Sequence, residues 1–91
     1  MIQATQSLAI PVRVTTRKDG CDLYIPDLLM TIHDKDYTAV VASAIARVQA
    51  IYTYNKERNM PISFKATYQE VSDTCVDNAS FPTYLTIKGV E

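Results

Sequence analysis

Ninety-one residues are enough for one two-layer domain and too few for two independent cores. Nine Lys and Arg stand against ten Asp and Glu, so no overall field draws the chain to a nucleic-acid backbone. No run approaches the roughly twenty apolar residues that span a bilayer, and residues 1–7 lack the basic-then-apolar pattern of a signal peptide, so a cytoplasmic protein is expected.

In chain order, Leu8, Ile10, Val12, Val14 and Thr16 alternate with Ala9, Pro11, Arg13, Thr15 and Arg17, the period of a strand with one buried face. Pro11 can donate no ladder hydrogen bond, which places the beginning of this strand at an edge, a bulge or a strand start. Arg13, Arg17 and Lys18 form an early basic cluster whose simplest reading is a solvated surface. Asp19-Gly20 supplies the positive φ of a tight hairpin turn. A second strand follows, with Cys21, Leu23 and Ile25 on one side and Asp22 and Tyr24 on the other, until Pro26-Asp27 turns the chain. Residues 28–33 read as a third short strand, completing an antiparallel meander.

Asp34 or Asp36 then caps a helix over 37–59. Within it Val41, Ala44, Ile45, Val48 and Tyr52 share one face, Tyr37 and Ile51 widen the stripe, and several alanines add helix propensity. Lys56 and Arg58 suit the negative end of the dipole, and Asn59 followed by Met60-Pro61 stops the helix. Ile62, Phe64, Ala66 and Tyr68 alternate with polar residues, so 62–71 reads as a fourth strand, reached by a crossover and parallel to the first or third. Residues 72–82 read as a loop. The last strand, 84–90, is expected to pair with the fourth or with another subunit.

These elements predict an α+β two-layer sandwich in a single domain, core 8–71 plus a C-terminal loop and strand 72–91. A mostly antiparallel sheet of four to five strands (β-β-β-α-β-β) carries one long helix on one face. The helix stripe should meet Ile10, Val12, Val14, Leu23, Ile25 and Phe64. The face with Arg13, Thr15, Tyr24, Lys65 and Thr67 is expected to be left open or used for contacts. A bare face and two free edges need management in so small a domain, and a homo-oligomer contacting through the C-terminal strand is the expected answer. Cys21 and Cys75 form no CxxC and the chain has one His, so two reduced thiols and no zinc site are expected.

The stretch Leu23-Tyr24-Ile25-Pro26-Asp27-Leu28 resembles the Y-V-P-D-L-P-G segment of the HicB antitoxin family. The Asp19-Gly20 turn before it, the Ala-rich helix after it and the Met60-Pro61-Ile62-Ser63 exit extend the resemblance over about residues 8–65. Asp34-Lys35-Asp36-Tyr37-Thr38-Ala39-Val40 echoes that family's G-D-T-x-E-E-A. The chain departs from the pattern at Leu29-Met30, in place of Pro-Gly-Cys, and at His33-Asp34, in place of Gly-Asp. The resemblance implies a partial ribonuclease-H-like fold without catalytic carboxylates, and a non-catalytic module that blocks a small RNA-cleaving toxin by steric occlusion. The alternative is an orphan oligomerisation or scaffold domain with the same fold and no toxin partner. Residues 67–91 show no recognition-helix pattern, so no DNA-binding segment is expected.

Chemistry-bearing patterns are sparse. Asp19, Asp22, Asp27, Asp34 and Asp36 suggest a carboxylate site, but most sit at turns or the helix cap, where Asp serves the backbone. His33 and Asp34 are neighbours on a strand and point to opposite faces. No nucleophile motif, GxGxxG or Walker sequence is present, so neither an enzyme nor a cofactor is expected. The expected partner-binding residues are Arg13, Tyr24, Asp27, Met30, His33 and Tyr84. The six tyrosines serve best as core-edge residues with a wet hydroxyl, or as protein anchors.

Overall fold

The computed structural model describes residues 6–60 and 62–90. They form an α+β fold in which one four-stranded antiparallel sheet, ordered β3-β2-β1-β4, carries a long helix on one face. The strands are β1 (Gln6–Arg17), β2 (Gly20–Ile25), β3 (Met30–Asp34) and β4 (Ser80–Val90). The helices are α1 (Tyr37–Glu57) and a short α2 (Tyr68–Asp73).

The β1–β2 hairpin closes on Arg17 opposite Gly20. Gly20 has φ +153°, and a Cβ there would lie 2.3 Å from the Asp34 carbonyl oxygen, so the position admits only glycine. Pro26–Leu28 make a single 3-10 turn into β3, with Pro26 at its start and Leu29 left-handed behind it at φ 50°. The third strand therefore starts two residues later than the sequence pattern implies, because Leu28 is spent in the turn.

Pro11 lies in a strand that is central in the sheet. The β1–β2 ladder ends at the Arg13–Tyr24 pair, while the β1–β4 ladder continues past Pro11 to Gln6. The Thr16 N–H donates to the Ala79 carbonyl at 2.8 Å, so even-numbered residues of β1 bond to β4 and odd-numbered ones face β2. Pro11 thus points its missing donor where β2 has already ended, and the beginning of β1 is flanked on one side only.

One face of the sheet carries Ile10, Val12, Val14, Cys21, Leu23, Ile25, Ile32, Leu85 and Ile87, all buried beneath α1. The helix meets them with Val40, Ala44 and Val48, an i, i+4, i+8 line, while Val41 and Ile45 flank it and Tyr52 is only partly buried. The stripe is centred one position earlier than the sequence periodicity indicated, because small side chains on this line let the helix axis approach the sheet. Each such valine, fully buried, contributes about 1.5–3 kcal/mol.

Asp36, not Asp34, caps α1, its Oδ1 accepting the Ala39 N–H at 2.8 Å. The other end closes as a Schellman motif: Asn59 is left-handed at φ 56°, its N–H reaches the Lys56 carbonyl at 3.1 Å, and the Met60 N–H reaches that of Asn55 at 2.9 Å. Pro61, expected to complete this exit, lies outside the described residues.

Beyond the helix the chain departs from expectation. Residues 62–67 belong to no strand or helix and 68–73 are α2, so no strand occupies 62–71 and the described residues contain no parallel crossover. Instead the Asp27 Oδ1 accepts the Lys65 and Ala66 N–H groups at 2.8 and 2.9 Å, tethering the return segment to the turn between β2 and β3. From that tether the chain crosses the second face, where Val71 of α2 is buried apart from the main core and Tyr68 stacks on Tyr84 at 5.1 Å. It reaches β4 at the end where β1 finishes, Ser80 opposite Thr15, so β4 runs antiparallel to β1. The order is therefore β-β-β-α-α-β, and the second face is half covered where an open one was expected. Lys65 and Thr67 belong to the covering segment.

Candidate protein-contact face

Alternation sends Arg13, Thr15, Arg17, Asp22, Tyr24, Thr31 and His33 to the second face. Strand register stacks them in two rows across the sheet. In one row His33, Asp22, Thr15 and Ser80 lie opposite one another in turn; in the next Thr31, Tyr24, Arg13 and Pro82 do.

The first row is bonded at both ends. His33 Nδ1 lies 2.6 Å from Asp22 Oδ1, Arg17 Nε donates to Asp22 Oδ2 at 2.5 Å, and the Thr15 and Ser80 hydroxyls are 3.0 Å apart. The His33 and Arg17 hydrogen bonds, in that order, hold the Asp22 carboxyl below its ordinary value; the same pairing raises Arg17. Asp22 thus bridges the Arg17 guanidinium and the His33 ring on the sheet surface. In the second row the Arg13 guanidinium carbon stands 5.0 Å from the Tyr24 ring centre, a cation–π contact.

Of the residues expected to bind a partner, the structure brings together Arg13, Tyr24 and His33 on the open half of this face. Tyr84 lies on the same face but beside α2, in its stack with Tyr68. Met30 is on the other face, partly buried against the core beneath α1. Asp27 is turned to the chain's own backbone, with Oδ1 shared by two N–H groups and Oδ2 buried without a hydrogen-bond partner among the described residues. Arg17 and Asp22 were missed as members of the cluster. Their signal is the Asp19-Gly20 turn, which fixes the β1–β2 register that places them side by side.

Asp34 accepts from the Lys35 N–H at 2.8 Å and from the Ser43 hydroxyl at 2.9 Å, contacts that lower its carboxyl in that order of effect. Asp36 caps α1. Among the described residues no three of His, Cys, Asp and Glu converge as metal ligands, and no helix is long and apolar enough to cross a membrane. Cys21 is buried in the core, and the Cys75 thiol donates to the Val71 carbonyl at 3.4 Å; both are free thiols.

A shallow cavity of about 230 Å³ lies where α2 meets the sheet, lined by Tyr24, Pro26, Ala66, Glu70, Val71 and Thr74. Its wall is mostly apolar, and it separates the covered half of the second face from the open half. Comparison with protein families, with characterised proteins and with solved structures finds no match to this chain.

Proposed function

We propose that the chain is a cytoplasmic, self-associating, non-catalytic protein-binding module that works as a HicB-type antitoxin does, covering the active surface of a small RNA-cleaving toxin by steric occlusion. The observation that supports this reading is the open half of the second face. Arg13 on Tyr24, beside the Arg17–Asp22–His33 bridge, is a cluster of the residue types that anchor protein interfaces. Their rotamers are already held by mutual contacts across the strands, so little side-chain entropy remains to be lost on binding. The toxin as partner rests on the resemblance of residues 8–65.

The test is titration calorimetry of the chain against the protein encoded beside it, with an RNA-cleavage assay of that protein. A complex that suppresses cleavage, weakened roughly tenfold or more by Arg13→Ala combined with His33→Ala, is expected. Absence of a complex, or binding indifferent to those substitutions with the fold intact, would refute it. The second reading, a scaffold domain with no toxin, is favoured by the free edge of β4.

A further inference from the structure

Among the described residues, the outer edge of β4 is the long unpaired edge of this sheet. Odd-numbered residues of β4 bond to β1, as the Thr16–Ala79 hydrogen bond and the register require, so Ser80, Pro82, Tyr84, Thr86 and Lys88 turn their backbone groups outward. Pro82 offers no donor there, which is where an edge strand tolerates proline. From Tyr84 onward the edge is unblocked. Among the described residues, four of the eight exposed large hydrophobics flank it: Tyr37 and Phe81, ring centres 6.0 Å apart, on the α1 side, and Tyr68 and Tyr84 on the other.

We infer that this edge is occupied by β4 of a second copy of the chain, antiparallel, about a two-fold axis at Thr86. The inference rests on the self-association proposed above and gives it a register. An axis at Tyr84 would set each Pro82 opposite Thr86 in the middle of the ladder, and one at Lys88 would shorten the overlap. The axis at Thr86 pairs Tyr84 with Lys88 and leaves each Pro82 beyond the last pair, where the register shift between Lys88 and Val90 ends the regular outer edge. Roughly six backbone hydrogen bonds then join the copies, and the sheet becomes eight strands ordered 3-2-1-4-4-1-2-3. The aromatic pairs flank the seam, which leaves the Arg13–Tyr24 pair and His33, on β1, β2 and β3, uncovered by the second copy.

The register is read by cross-linking. In a Cys75→Ser background, Thr86→Cys places two thiols on hydrogen-bonded partner residues, whose Cα atoms sit about 5.5 Å apart, inside the range a disulfide spans. Thr31→Cys, on the β3 edge, is the control. Light scattering of the full chain should give about twice 10.2 kDa, and mild oxidation should cross-link Thr86→Cys at least roughly tenfold more than Thr31→Cys. Thr86→Pro should yield a monomer with unchanged far-UV circular dichroism. A dimer that cross-links through Thr31→Cys, or that survives Thr86→Pro, overturns the register and leaves self-association standing. A wild-type monomer at millimolar concentration overturns both.

Discussion

Asp27→Ala tests the tether that reverses the last strand. In the wild type, one carboxylate oxygen accepts two backbone N–H groups, from Lys65 at 2.8 Å and Ala66 at 2.9 Å. Hydrogen bonds to a charged group contribute about 1.5–3 kcal/mol each. Against that stands Oδ2, buried without a partner among the described residues, whose desolvation costs about 1–3 kcal/mol and is relieved when the carboxylate is removed. The balance is a loss of about 2–3 kcal/mol, large beside the roughly 5–10 kcal/mol total of a domain this size. With a urea m-value of about 1 kcal/mol/M, the midpoint should fall by about 2–3 M. The chain has no Trp, so unfolding is followed by circular dichroism and tyrosine fluorescence. Amide exchange at Lys65 and Ala66 should quicken well before global unfolding. A loss below about 0.5 kcal/mol with both amides still protected would refute the argument, because another contact would then be holding the return segment.

Leu29 is 82% exposed and left-handed, so its side chain has little contact to lose and its backbone is strained. Leu29→Gly should stabilise the domain by about 1 kcal/mol, raising Tm by roughly 4 °C or more in calorimetry; a drop would mean that the side chain packs on something. The acid limb of stability should contain a contribution from Asp22. Its folded value is depressed below the ordinary 3.8 by His33 and Arg17, so that contribution is full above about pH 4 and is lost as pH falls through the depressed value. Asp22→Asn should therefore be less stable than wild type at neutral pH, and the two should converge in acid. Asp34, lowered by Lys35 and Ser43, adds a parallel loss that this substitution leaves in place. Chemical denaturation at stepped pH from 7 to 3 reads the difference, and two parallel curves would contradict the assignment.

The three-stranded meander, the long helix and both its ends are legible in the sequence because each is signalled locally: alternation, an Asp-Gly turn, a Pro-Asp turn, an Asp cap and an Asn stop. The error at 62–71 has an equally physical origin. Ile62, Phe64 and Ala66 are all partly buried while Ser63 and Lys65 are exposed, so the period-two pattern is real. It belongs to an extended segment held by Asp27 rather than to a paired strand. Periodicity reports which side faces the protein and says nothing about whether the backbone has a neighbour. The signal that does discriminate is Thr67-Tyr68-Gln69-Glu70, which has the sequence of a capping box: the Thr67 hydroxyl accepts the Glu70 N–H at 3.1 Å, and the Glu70 carboxylate accepts the Thr67 hydroxyl, rather than its N–H, at 3.1 Å. It announces a helix where a strand was read. The Asp22–His33 pair is of another kind. The two are eleven residues apart, and only the 3-10 turn with its left-handed Leu29 sets the β2–β3 register that joins them.

The reversal of β4 changes what the sheet can do. A short parallel return from α1 would have left the whole second face bare, which favours indiscriminate association of a small sheet. The path actually taken lays α2 on that face. Val71 and the Tyr68–Tyr84 stack cover the β1–β4 half around buried Pro11, and the half over β2 and β3, with its cation–π pair and charged bridge, stays open. Covering the side next to β4 sets the stacked Tyr68 and Tyr84 rings beside that edge. The far side stays polar, with donors fixed by their contacts across the strands. One backbone tether at Asp27 therefore underlies both surfaces: it sends the chain across the second face, and that crossing decides which half is buried and which strand ends the sheet.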